Sequence, residues 1–149
     1  DLVKKHEIIE ATLVGSGDES KNLFEYVKKI NLTKRIEFKG SLESSKWIPI
    51  VQKSDFTWGV INKNCHGVPI KVFESIYMGK ISLVSNLEEF KELKEKGWVY
   101  VINQDDTSFD IRDLVNLKKN PPSSLDMRQY AERNFSWEKY CNLIYKYLN

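Results

Sequence analysis

The sequence has few of the features that place a protein in a membrane or in an oxidising compartment. No apolar run approaches the ~20 residues that an α-helix needs to span a bilayer, and no secretory signal peptide is visible. The chain has only two cysteines, Cys65 and Cys141, which lie far apart and favour free thiols in a reducing compartment. These absences predict a cytoplasmic protein, and association with the inner face of the cell membrane stays open.

Metal-ligating residues and clustered positive charge are also scarce. The formal net charge is only +2, and the basic residues are interleaved with acidic ones, which gives little support for a nucleic-acid groove. Cys65 stands beside His66, but the other histidine, His6, is distant and no further ligand stands at metal-site spacing. We interpret Asp105-Asp106 as a solvated turn. The sequence therefore predicts no metal, no other cofactor and no nucleic-acid partner.

What the sequence does contain is a regular alternation of strand and helix patterns. With 149 residues, 41% of them apolar and 30% charged, the chain is predicted to form one globular domain, 1–149. Short apolar segments that read as strands lie at 11–14, 35–38, 56–61, 81–84 and 98–102. The alternation predicts an α/β fold with a Rossmann-like parallel sheet and helices on both faces, in which ligands gather at the carboxyl ends of the strands.

The turn Gly15-Ser16-Gly17 follows the first predicted strand. A strand, a glycine turn and a helix open a Rossmann-like unit, and the two glycines let the backbone approach a ligand. The third glycine of the dinucleotide fingerprint would fall at Ser20, which argues against NAD. Taken alone, this pair of glycines is better explained as a plain strand-to-helix turn than as a ligand site.

The stretch 66–86 is predicted to be a loop, a helix, a glycine turn and a buried strand. Pro69 suits the first turn of a helix, and Gly79 is placed to end it in the left-handed conformation. A short β-branched segment follows Gly79, as in a strand covered on both faces. The predicted apolar face of the helix consists of Ile70, Phe73, Ile76 and Tyr77.

Two charged residues near the start of this helix suggest a ligand site. Lys71 lies in the first turn, where the helix dipole disfavours a cation, and together with free backbone N–H groups it would attract an anion such as a phosphate. Glu74 lies one turn further on the same side and could accept hydrogen bonds from sugar hydroxyls. The alternative is an ion pair between Lys71 and Glu74 on a solvated face.

Five segments of the chain resemble one enzyme family in order and in motif. Residues 67–86, GVPIKVFESIYMGKISLVSN, resemble the nucleotide-sugar signature of the retaining glycosyltransferases of family 4, also called group 1, which have a GT-B fold with two Rossmann domains. Residues 11–20 and 35–60 are similar to the second strand and to the third and fourth strands of the family's C-terminal domain. Residues 97–106 and 135–148 look like its late strand and terminal helix.

The resemblance implies a nucleotide-sugar donor-binding domain of a hexosyltransferase-type enzyme. Glu74 would hold the ribose hydroxyls, Lys71 would lie near the phosphates, and the 66–70 loop would face the diphosphate and the sugar. The implied donor-binding residues are Gly15, Gly17, Lys39, Gly40, Leu42, His66, Gly67, Val68, Pro69, Ile70, Lys71 and Glu74. No catalytic residue is assigned, and the nucleotide-diphosphate sugar is a substrate rather than a cofactor.

The sequence departs from the family at three places. His66 stands where many members have a glutamate that contacts the sugar. The first strand of the domain and the acceptor-binding N-terminal domain should precede residue 1, so this fragment is expected to be inactive alone. The whole enzyme would transfer a sugar, with retention, to a polysaccharide or a lipid-linked acceptor. A sugar-nucleotide epimerase of the same build and a non-catalytic Rossmann-like binding module are the alternatives.

Overall fold

The computed structural model describes residues 2–61, 68–102 and 110–136, so the predicted helix at 137–148 lies outside the described residues. No helix within these ranges combines the length and the apolar character needed to cross a membrane. The elements are α1 (Leu2–Lys5), β1 (Ala11–Leu13), α2 (Ser20–Lys29), β2 (Ile36–Phe38), α3 (Ser44–Lys53), β3 (Phe56–Gly59), α4 (Ile70–Tyr77), β4 (Ile81–Val84), a 3₁₀ turn (Glu88–Phe90), α5 (Lys91–Glu95), β5 (Val99–Val101), α6 (Ile111–Lys119) and α7 (Ser124–Phe135).

All five predicted strands form, and every strand pair is parallel, which confirms the α/β class. The strands make two sheets rather than one continuous sheet, with the orders β1–β2 and β3–β4–β5. The chain divides accordingly into two compact units, Asp1–Ile50 and Val51–Asn149.

The first unit has a small core. Leu13 of β1 pairs with Phe38 of β2, and Phe24 of α2 packs edge-to-face on Phe38 with ring centroids 5.5 Å apart. Within the described part of this unit, Val27 and Leu32 are the buried hydrophobic residues. The two-stranded parallel ribbon therefore leaves much of the unit's apolar surface exposed, including Leu13, Leu23 and Phe24.

The second unit holds the main core. β4 lies between β3 and β5, and all four of its residues are buried, as predicted for a strand covered on both faces. The core consists of Val72, Ile76, Val84, Phe90, Leu93, Trp98, Val99, Met127 and Ala131. α4 and α7 contribute to it from one face. On the opposite face, the Tyr100 hydroxyl donates to Asp113 of α6 at 2.8 Å, since Tyr100 points away from its neighbour Val99.

Candidate functional site

Pro69, the residue at the N-cap of α4, makes no side-chain capping hydrogen bond. Pro69 stands immediately before the helix, one position earlier than the first turn, with extended backbone angles of φ −64° and ψ 121°. Its carbonyl accepts the first helical hydrogen bond, from the Val72 N–H at 3.0 Å. Because no side chain of the described residues caps this end, the N–H groups of the first turn keep, as far as those residues are concerned, the partial positive charge that attracts an anion.

Lys71 and Glu74 are both exposed on α4. Within the described residues neither side chain takes part in an ion pair, so the predicted alternative, a pair between the two, is not formed. A cation therefore stands in the first turn, where the helix dipole alone would disfavour it, with a carboxylate about one turn further on. Both groups can reach a ligand.

The buried face of α4 differs from the predicted one. Ile70 is 74% exposed and Tyr77 is 49% exposed, so the prediction that they belong to the apolar face was wrong. The buried residues of α4 are Val72, Ser75 and Ile76, so the prediction is confirmed for Ile76, and Phe73 is partly buried against the core. Ser75 is tolerated there because its hydroxyl donates to the Lys71 carbonyl at 2.6 Å, which satisfies the buried oxygen.

The end of α4 is held against α7. Gly79 has a φ of +70°, which confirms the predicted left-handed glycine after the helix. A Cβ at this position would lie only 3.1 Å from the Ser124 Cα, so the two backbones are in direct contact. The Arg128 guanidinium donates to the Tyr77 carbonyl at 3.3 Å. These contacts fix the carboxyl end of α4, while its first turn carries Lys71.

Ser85 joins the carboxyl ends of β3 and β4, a contact that sequence reasoning missed. Its hydroxyl accepts from the Ile61 N–H at 3.0 Å and donates to the Ile61 carbonyl at 3.0 Å. One side chain thereby continues the ladder beyond the last backbone pair, Gly59 with Val84. The only sequence signal was a small polar residue directly after an apolar strand.

The 66–70 loop is described only in part. His66 and Gly67 lie outside the described residues, as does Cys65. Val68 is half-buried and packs against the core, so its side chain supports the chain before α4. Among the described residues, no group of three or more His, Cys, Asp or Glu side chains is arranged to hold a metal ion.

In the first unit, the loops after β1 and β2 meet each other. The Gly15 N–H donates to the Gly40 carbonyl at 2.8 Å, and the hydroxyls of Ser16 and Ser41 lie 2.5 Å apart. Gly15 and Gly40 have φ values of +131° and +63°, which favour glycine. A Cβ built on Gly15, Gly17 or Gly40 would meet nothing within 4 Å. The paired glycine loops therefore leave open space above them.

Lys39 and Leu42 flank this loop pair. The Lys39 N–H donates to the Leu13 carbonyl at 2.9 Å, which continues the β1–β2 ladder. The Lys39 amine pairs with Glu37, and both side chains are largely solvent-exposed. Leu42 is half-buried. The positive charge of Lys39 is thus partly neutralised, whereas Lys71 has no ion-pair partner within the described residues.

Comparison with solved structures finds the same fold in much longer proteins. The crystal structure of Anabaena Alr3699/HepE in complex with UDP matches with a TM-score of 0.73 and 15% identity, covering 94% of this chain and 40% of that one. The structure of AviGT4, a glycosyltransferase involved in avilamycin A biosynthesis, matches with a TM-score of 0.69 and 14% identity, covering 93% of this chain and 44% of that one.

These matches confirm the predicted Rossmann-like fold. The chain spans less than half the length of either structure. No protein-family model matches the sequence, and no curated protein matches it by sequence. At such low identity the likeness is one of fold, and the ligand must be argued from the residues.

Proposed function

We propose that this chain is the nucleotide-sugar donor-binding domain of a retaining glycosyltransferase that builds a polysaccharide or a glycolipid. The observation that carries the proposal is the uncapped start of α4, with exposed Lys71 and Glu74, beside the carboxyl end of a parallel sheet. The fold likeness to a protein in complex with UDP and to a glycosyltransferase supports the same class of ligand.

The chemistry of this helix start suits a leaving diphosphate. Transfer breaks the bond between the sugar carbon and the diphosphate oxygen, and negative charge develops on that oxygen as the bond breaks. The first-turn N–H groups and the Lys71 ammonium would stabilise that charge in place, without a metal ion. The Glu74 carboxylate would accept hydrogen bonds from the ribose hydroxyls and so orient the nucleotide.

For the first unit we propose a role in binding the nucleotide base. The backbone of Lys39, Gly40 and Leu42 would frame the base, and the open glycine turn of Gly15 and Gly17 would allow close approach of the ligand. The space above the paired loops supports this assignment. It is a separate part of the proposal, because it rests on the sequence resemblance and on loop geometry rather than on charge.

The acceptor site belongs, in this proposal, to a part of the enzyme outside this chain. The matched structures are more than twice as long as the segment they share with it. We propose a saccharide or lipid-linked acceptor and a cytoplasmic enzyme.

The deciding experiment is a transfer assay with the full-length protein and a panel of nucleotide-diphosphate sugars, analysed by NMR of the anomeric proton. We expect UDP or another nucleoside diphosphate to bind, and the transferred sugar to keep the anomeric configuration of the donor. Release of an epimerised sugar would identify an epimerase instead, and nucleotide binding without turnover would identify a binding module. A full-length protein that binds no nucleoside diphosphate would overturn the proposal.

A further inference from the structure

Gly59, the last residue of β3, leaves no space between the strand and α4. A Cβ built on Gly59 would overlap Val72 Cγ2 and would lie 3.0 Å from Ser82 Oγ and 3.3 Å from Val84 Cγ1. The φ of Gly59 is outside the left-handed region, so close packing rather than backbone conformation requires glycine here. α4 rests directly on the backbone of β3 at this point.

The contact between Gly59 and Val72 lies beneath the first turn of α4, which carries Lys71. Val72 is fully buried and is the next residue after Lys71. The other end of the helix is fixed, because Gly79 contacts Ser124. A methyl group added at residue 59 would therefore raise the start of α4 while its end stayed in place. In a helix of eight residues, about 12 Å long, this displacement is a tilt that moves the first-turn N–H groups most.

We propose that Gly59 is a positioning residue for the diphosphate of the nucleotide. By letting Val72 contact the sheet, it sets the depth at which the first-turn N–H groups and Lys71 meet the ligand. This inference rests on the proposed function. N–H···O hydrogen bonds span only about 2.7–3.2 Å, and a binding site tolerates errors of about 0.5 Å, so a shift of methyl size is enough to weaken binding.

The test compares Gly59→Ala with the double variant Gly59→Ala/Val72→Ala in the full-length protein, by calorimetry with UDP and with uridine. We expect Gly59→Ala to weaken UDP binding at least tenfold and to change uridine binding less than threefold, because uridine has no diphosphate. The double variant removes the Val72 methyl groups that the new Cβ would overlap. It is expected to restore UDP affinity to within threefold of the wild type.

Gly97→Ala is the matched control for stability. Gly97 has a φ of +71° and open space around it, so an alanine there strains the backbone without touching α4. We expect a lower Tm and an unchanged Kd for UDP. Should Gly59→Ala not fold, Val72→Ile enlarges the same contact from the helix side and is expected to weaken UDP binding selectively.

Three results would overturn the inference. They are wild-type UDP affinity in Gly59→Ala, equal weakening of UDP and uridine, and a folded double variant that binds UDP no better than Gly59→Ala. Each of these leaves the proposed function intact, provided that the wild type binds UDP. Absence of nucleoside diphosphate binding in the wild type would instead remove both the proposed function and this inference.

Discussion

β1 and β4 have similar sequences but very different environments. Their sequences are Ala-Thr-Leu in β1 and Ile-Ser-Leu-Val in β4, and both form parallel strands. Within the described residues, β4 pairs on both sides and is buried throughout, whereas β1 pairs with β2 alone and two of its three residues are exposed. Parallel sheets gain stability when both faces are covered. An apolar strand sequence therefore predicts the strand, while its paired neighbours decide how much it stabilises the fold.

The largest expected effect contrasts two phenylalanines, one in each unit. Phe90 is 1% exposed in the core of the second unit, and Phe24 is 45% exposed in the first. We expect Phe90→Ala to lower the free energy of unfolding by about 3–5 kcal/mol, because it leaves a cavity. Phe24→Ala should cost less than about 1.5 kcal/mol, since it loses mainly one aromatic pair. Urea unfolding measures both, and equal losses would contradict the contrast between the units.

The next largest expected effect is on kcat/KM, and it compares an exposed charged residue of the second unit, Glu74, with one of the first, Lys39. We expect Glu74→Ala to lower kcat/KM of the full-length enzyme at least tenfold, about 1.4 kcal/mol, because the ribose loses its acceptor. Lys39→Ala should change kcat/KM less than about threefold, since its amine pairs with Glu37 and only its backbone is assigned to the base. Glu132→Ala removes an exposed carboxylate of α7 as a control. Unchanged kinetics in Glu74→Ala would remove Glu74 from the site.

Lys71→Ala is expected to have a smaller, more selective effect. Removal of one cation beside a helix start should weaken UDP binding by about 0.3–1 kcal/mol, roughly two- to fivefold, with uridine binding unchanged. Titration calorimetry with both ligands measures the difference. Lys119→Ala, at the other end of a different helix, is the control for a change of net charge. Equal wild-type affinity for uridine and UDP would rule out the phosphate role.

The smallest expected effect is a pH dependence of stability that comes from Tyr130 in the second unit. Burial, followed by a hydrogen bond to Glu92, raises the pKa of Tyr130 to about 12. The neutral phenol is thus favoured in the folded state, so its contribution is present below pH 10 and is lost as the pH rises towards 12. We expect Tyr130→Phe to lose less stability than the wild type between pH 10 and pH 12. If the urea midpoints of the variant and the wild type fell in parallel over that pH range, this prediction would be wrong.

Much of the fold could be predicted because its signals are local. Apolar runs between turns gave the five strands, although the observed strands are mostly shorter than the predicted ones. Gly79 was predictable because a glycine after a helical pattern is itself the signal. The orientation of α4 could not be predicted, since spacing alone did not show that Ser75 would be buried and Ile70 exposed.

The candidate site could be predicted only where sequence neighbours meet in space. Lys71 and Glu74 are one helical turn apart, so their common exposure near the start of α4 followed from spacing. Ser85 and Gly59 gave no such signal. Their roles depend on contacts with Ile61 and Val72, which come from other elements of the chain.

The contact between Gly79 and Ser124 has a practical use in finding relatives of this chain. Residue 79 needs glycine for two independent reasons, its left-handed backbone and the nearness of the α7 backbone, and residue 124 cannot project bulk towards it. We expect distant homologues, at identities too low for ordinary alignment, to keep a glycine at the first position and a short side chain at the second.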